Sequence, residues 1–256
     1  MNRYIHVFLL LVLFLLSGCA TDQDRVSEVL QSHGATQMNR DYKHLCTLLI
    51  QYKEKLDLRN PSQFSKAQKA YIYNDLQQSH NSIRVKYNNT YLNTYDDYLR
   101  VAFDKNPTIT DRNDFLIIGL HKLIWDTYQK KEGHQITTLS YHQEDFRRLY
   151  YYLEVIRWKI RTAKDTNNNY LFVTWQNNWQ LELDKRIKQG LPPSWRMIEN
   201  LSSLKNNSET LLGASNFNFE VLLSQMIFHV KNSARIIGEE PVDIGIQAMI
   251  SLVLFL

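Results

Sequence analysis

The segment Phe115-Leu116-Ile117-Ile118-Gly119-Leu120 is apolar in every direction, so it is stable only with other elements packed around all of it. It predicts a helix from Phe115 to Lys131 at the centre of the fold, with Gly119 letting a neighbouring helix come close and Gly133 acting as a stop. A chain of 256 residues with 8 Gly and 5 Pro is poorly supplied with tight turns, which disfavours a sandwich or barrel of short strands. Long helices satisfy both observations.

Apolar residues elsewhere repeat with helical spacing. Met38, Tyr42, Leu45, Leu49, Tyr52 and Leu56 recur at steps of three and four and define one stripe, which Asn60-Pro61 ends; Pro61 is suited to open the next helix. Residues 62–104 read as one long or two consecutive helices, with Tyr91, Leu92, Tyr95, Tyr98, Leu99 and Ala102 on one side and a break near Asn88-Asn89. Thr110 or Asp111 is placed to cap the central helix. Ser140 with Gln143 resembles a capping box. The helix after it puts Phe146, Leu149, Tyr150, Leu153, Ile156 and Ile160 on one face, with Glu144 and Arg148 spaced as an ion pair.

Leu171, Trp175, Trp179, Leu183 and Ile187 recur every four residues, which favours a helix, although Tyr170 to Trp175 alone has strand composition. Gly190 and Pro192-Pro193 end that element, Asn206-Asn207-Ser208 is a loop, and Phe219, Leu222, Leu223, Met226, Val230 and Ile237 mark a last amphipathic helix that stops at Gly238. No repeat period is present. The fold class expected is mainly α, a single non-repeat bundle of about seven helices.

The N-terminus carries a different signal. Met1 to His6 includes Arg3, Val7 to Leu16 is an unbroken apolar run, and Leu16-Ser17-Gly18-Cys19 follows. The order is that of an export signal, and the ten-residue run is about half of the roughly 20 residues a spanning helix needs. Leu16-Ser17-Gly18-Cys19 resembles the lipobox of bacterial lipoproteins. That resemblance, confined to about the first 20 residues, implies cleavage before Cys19, a diacylglycerol and an N-acyl chain on its sulfur and amine, and stable anchoring by those chains. Ala20, rather than Asp, after the cysteine points within that class to the outer membrane, facing the periplasm. The divisions expected are a signal peptide at 1–18, a lipidated and partly ordered tether at 19–36, and a helical periplasmic domain at 37–256.

Acylation of Cys19 leaves Cys46 as the other of two cysteines, which excludes an internal disulfide. Within Leu45-Cys46-Thr47-Leu48-Leu49-Ile50 it reads as a buried small residue, with a reactive thiol as the alternative. The net charge of +4 gives no electrostatic case for nucleic acid. From Pro241 onward only Asp243 is charged, and Asp243, Gln247 and Ser251 form one polar stripe on the apolar segment 242–256. That segment reads as a core helix, with insertion into a membrane or a partner's groove as the alternative; about 22 Å of helix is too short to span.

The search for chemistry finds no zinc motif, phosphate loop or nucleophile elbow. No cofactor or metal is therefore expected beyond the acyl chains. His134, His142 and Glu144 lie near one another in sequence, His121 sits on the most apolar helix, and His229 shares a polar edge with Gln225 and Ser233. Asp96-Asp97, Asp111 with Asp114, and Glu144-Asp145 are the carboxylate pairs a hydrolase of the cell wall would need. Arg147, Arg148, Arg157, Arg161 and Lys164 read as a solvated face, or an anion-binding one. The chain holds 15 Tyr, 5 Trp and 11 Phe. Its clusters wrap around helices and cannot all face one core, which makes Tyr151, Trp175 and Trp179 the candidates for contact with a partner. The expectation is a non-catalytic envelope lipoprotein that assembles, scaffolds or binds a partner protein. The alternatives are an envelope hydrolase and a membrane-perturbing protein that uses 242–256.

Overall fold

A computed structural model of the chain describes residues 20–78, 80–130, 141–206 and 216–239. Cys19, Gly133, His134, Ser140 and the segment 242–256 lie outside the described residues, as does the loop from Asn207 onward. Among the described residues the chain forms nine helices and one two-stranded hairpin. The helices are α1 (Ala20–Arg59), α2 (Lys66–Gln77), α3 (Tyr95–Ala102), α4 (Arg112–Thr127), α5 (Gln143–Thr162), α6 (Asn178–Lys188), α7 (Trp195–Glu199), α8 (Ser202–Lys205) and α9 (Asn216–Ile236). The excess over about seven comes from division of the 62–104 region and from the short α7 and α8.

The central position expected for the apolar segment is the one it occupies. Helix α4 contacts α1, α2, α3 and α5, and every residue from Arg112 to Ile124 is buried. At Gly119 an added Cβ would lie 3.0 Å from Leu99 Cγ and Cδ2 and 3.1 Å from Tyr98 Cβ, so the missing side chain is what lets α3 rest on α4. Helix α9 lies against α1 and α5. Phe219, Leu223, Met226 and Val230 are fully buried there, and Gly238 takes a left-handed φ of 79° just beyond the helix.

Several boundaries differ from the expectation, each for a local reason. Residues 20–36, expected as a tether, are helical and continuous with the rest of α1. Pro61 does not open α2; Ser65 caps it, its hydroxyl accepting from Gln68 N. Asn88 and Asn89 are not a kink but the turn of a hairpin, β1 (Lys86–Tyr87) with β2 (Thr90–Tyr91), both at positive φ, which Asn tolerates better than most residues. Tyr91 is consequently half exposed. Asp111 precedes α4 with φ of 60° and makes no side-chain cap. His142, not Ser140, is the residue before α5. Glu144 and Arg148 do not pair; Arg147 reaches Glu144 at 2.8 Å and Arg148 reaches Asp145 at 2.6 Å, both one turn apart.

The largest departure is the segment 163–177. Residues Leu171 and Trp175 are not on a helix: α6 begins at Asn178. Asp165 folds the preceding residues into a tight loop, its Oδ1 accepting from the amides of Asn167 (2.9 Å) and Asn169 (2.8 Å). The chain then runs irregularly, with Leu171, Phe172, Thr174 and Gln176 all buried, a pattern no single helical face can produce. The carboxamide of Asn60 bonds both backbone groups of Val173, Oδ1 accepting from its N–H at 2.8 Å and Nδ2 donating to its carbonyl at 3.4 Å.

A buried charge organises this corner. Lys53 Nζ, completely buried, donates to Asp57 at 3.0 Å and to Asp114 Oδ1 at 2.5 Å. Asp114 Oδ2 accepts from Ser65 N at 2.8 Å, and Asp57 Oδ1 accepts from Asn113 Nδ2 at 3.0 Å. Phe64 and Tyr73 place their rings 5.4 and 5.9 Å from the ammonium. Removal of one partner from a buried ionic cluster leaves an uncompensated charge, at a cost of about 3–5 kcal/mol. Lys53→Met should therefore lose roughly that much stability in urea unfolding, and adding Asp57→Asn and Asp114→Asn should recover more than half of it. Equal stability of Lys53→Met and the native chain would refute the assignment.

Candidate functional site

Two of the three aromatic contact candidates share a site. Trp175, at the end of the irregular segment, and Trp179, on the first turn of α6, line one groove of about 450 Å³ with Arg161, Tyr170, Gln176, Gln180, Leu183 and Asp184. An adjoining hollow of about 400 Å³ shares Tyr170 and Asp184 and continues past Lys185 and Lys188. The third candidate, Tyr151, is elsewhere on α5, half-buried with its ring 5.9 Å from that of Tyr150.

The groove is built on the corner described above. Arg59, the last residue of α1, donates to the carbonyl of Gln176 and to the side chain of Asn178, which ties the C-terminal side of the Trp175 turn to the core, as Asn60 ties Val173 on the other side. Gln180 Oε1 accepts from Asn177 N at 2.8 Å and so starts α6. Arg161, at the end of α5, stacks over Trp175 with 4.1 Å from its guanidinium carbon to the ring centroid, and Lys164 lies 4.4 Å over Tyr170. Such stacking fixes cations against aromatic faces. The indole Nε1 of Trp175 is buried and has no acceptor among the described residues. Glu182, on the far side of α6, accepts from the amides and hydroxyls of Ser202 and Ser203, which holds its carboxyl down to about 2 and clamps α8 to α6. On α7, Trp195 is 73% exposed, an aromatic residue that the search for spaced clusters passed over because it stands alone in sequence.

Each carboxylate pair has at least one member engaged in holding structure. Asp97 closes a capping box with Thr94 at the start of α3, and Asp96 accepts from the hydroxyl of Tyr152 at 2.7 Å. Asp114 belongs to the Lys53 cluster, and burial raises the carboxyls of both Asp111 and Asp114 despite that cation. Glu144 and Asp145 hold Arg147 and Arg148. The basic face of α5 is partly neutralised: Arg147 also pairs with Glu239 at 2.8 Å, and Arg157 with Glu154 and Glu220, while Arg161 and Lys164 lie over aromatic rings.

Cys46 is buried, and burial pushes its thiol up to about 11, so the nucleophilic thiolate is scarce. His121 is 3% exposed on α4, beside Trp125, and its Nε2 has no hydrogen-bond partner among the described residues.

A second polar constellation lies on the seam between α1 and α9. Asp41 and His44 are three residues apart on α1, so both face the same side, and His229 on α9 meets them there. His229 Nδ1 is 2.8 Å from Asp41 Oδ1, and the rings of His44 and His229 have centroids 5.0 Å apart. Asp41 Oδ2 accepts from Asn232 Nδ2 at 2.8 Å and Ser233 Oγ at 3.2 Å, while Tyr128 donates to Ser233 at 2.7 Å. Histidine spacing does not reveal this set, because Asp41 and His229 are 188 positions apart.

No family model matches the chain, and neither a curated protein nor a solved structure matches it.

The burial of His121 makes stability pH-dependent. Desolvation lowers its pKa from 6.5 to about 4, with Asp75 opposing the shift and Lys122 adding to it. Above pH 6.5 the ring is neutral in both folded and unfolded chains. Between 6.5 and 4 the unfolded chain binds the proton while the folded one does not, so stability falls with falling pH across that window. The loss attributable to this residue is about 3 kcal/mol. Urea titrations of the native chain and His121→Leu at pH 7.5 and 4 should differ in their pH dependence by that amount. Parallel pH dependence would show that His121 is not the origin.

Proposed function

We propose that the chain is a non-catalytic lipoprotein of the bacterial envelope, anchored by acyl chains on Cys19, that binds a segment of a partner envelope protein in the Trp175–Trp179 groove. The anchoring rests on the export signal and the lipobox-like Leu16-Ser17-Gly18-Cys19. No helix among the described residues is long and apolar enough to cross a membrane.

The observation that carries the binding role is the groove's composition. Trp175, Trp179 and Tyr170 give large apolar surfaces on short side chains, which lose little entropy when a ligand covers them. Arg161 and Asp184 place both charge signs at the edge. A polypeptide offers apolar side chains, carbonyls and amides together, and this mixture is what the lining complements. Tryptophans and arginines in such settings dominate binding energy.

A photoreactive amino acid in place of Gln180, which lines the groove, should capture one or a few envelope proteins in intact cells, whereas the same group at exposed Tyr71 should not. Trp175→Ala with Trp179→Ala should reduce that capture about 30-fold, corresponding to roughly 2 kcal/mol for a binding hot spot. The thermal midpoint measured in parallel keeps unfolding distinct from loss of binding. Capture of lipid alone, or of the same proteins from both positions, would overturn the proposal.

A further inference from the structure

We propose that Asp41, His44 and His229 form a binding site for a divalent transition-metal ion of the zinc class, bridging α1 and α9. The nitrogen and oxygen atoms that each would offer lie within 4.8 Å of one another. A tetrahedral zinc ion with bonds of about 2.0–2.2 Å holds its ligands roughly 3.3 Å apart, so side-chain rotation of about an ångström closes the set. Two imidazoles and a carboxylate suit zinc, copper or nickel far better than magnesium or calcium, which prefer all-oxygen cages.

The surroundings of Asp41 carry the proposal further than proximity alone. Its side chain is 2% exposed, and among the described residues no lysine or arginine pairs with it; its ionic neighbour is His229. A buried carboxylate calls for a compensating cation, and a metal ion beside Oδ1 supplies one. Asn232 and Ser233 both bond Oδ2, and Tyr128 in turn orients Ser233. Oδ2 is thus pinned, while Oδ1, which also accepts from Gln37 Nε2 at 3.4 Å, faces His229. Ligand orientation by an outer set of hydrogen bonds is characteristic of metal centres. Exposed His44 places the ion at the rim of the seam, where water completes the fourth position. On binding, the Asp41–His229 hydrogen bond is replaced by two bonds to the metal.

The test uses the full-length chain in detergent, without a polyhistidine tag and stripped by a chelator, titrated with cobalt(II) and then zinc(II). The expected result is one cobalt per chain with visible bands of a low-symmetry N/O site, bleached by stoichiometric zinc, and a zinc-dependent rise in thermal midpoint. His44→Ala, which alters an exposed side chain, should leave the metal-free midpoint unchanged and weaken cobalt binding about 100-fold. His80→Ala, at another exposed histidine, should have no effect. Absence of saturable uptake overturns the proposal, as does equal binding by His44→Ala and the native chain.

Discussion

The ammonium of Lys53 is the interaction on which the rest of this fold depends. A buried charge is tolerated only when every surrounding group is correctly placed, and Lys53 obtains its partners from two separate helices, Asp57 on α1 and Asp114 on α4. Those partners are themselves occupied, Asp114 by the amide that begins α2 and Asp57 by Asn113. The angle between α1 and α4, the route of the 60–65 turn and the start of α2 are therefore set by one polar cluster. An apolar contact of equal size would permit them to slide.

The influence of that cluster reaches the groove. Asn60 and Arg59 follow directly in sequence, and they hold Val173, Gln176 and Asn178. The turn bearing Trp175 has no regular backbone ladder of its own. Side chains from the end of α1 replace that ladder, so the aromatic surface inherits its position from the core. Arg112 acts similarly at the other end of the same layer, donating to the carbonyls of Ala102, Asp104 and Asn106 and so closing α3 beneath the groove loop. Buried cations are used here as geometric fasteners.

What was legible in the sequence follows from the range over which each signal acts. The stripes of α1, α5 and α9 were readable because burial of one helical face imposes a period on local sequence, and the all-apolar start of α4 announced its central place. The segment 163–177 was misread because the four-residue spacing of Leu171, Trp175 and Trp179 mimics that period, while the groups that pull it out of a helix, Asn60 and Arg59, lie more than a hundred residues earlier. The cap expected at Thr110 or Asp111 is not made: Asp111 precedes α4 with a left-handed φ of 60° and its carboxylate bonds no amide of the helix. Trp175 and Trp179 stood out by residue type, as large amphipathic rings on a polar segment; their convergence with Arg161 did not. Asp41, His44 and His229 were invisible because the seam that joins them is a tertiary event.

Helix α1 carries residues of both proposed sites and, on the proposed acylation, would join them to the anchor. It runs unbroken from Ala20 to Arg59, 40 residues, or about 60 Å at 1.5 Å per residue. On the proposed acylation of Cys19, the helix starts one residue from the membrane surface, with no slack between lipid and body. Its sequence before Met38 lacks the strong apolar stripe that follows. Asp41 and His44 fall where α9 meets the helix, and Arg59 falls at the far end, against the groove. On both proposals together, a metal ion at the seam would lock α9 to α1 roughly 22–27 Å short of Arg59, and the binding surface would be held at a fixed height above the bilayer. In that arrangement reach, not only affinity, would determine which partner the groove can meet.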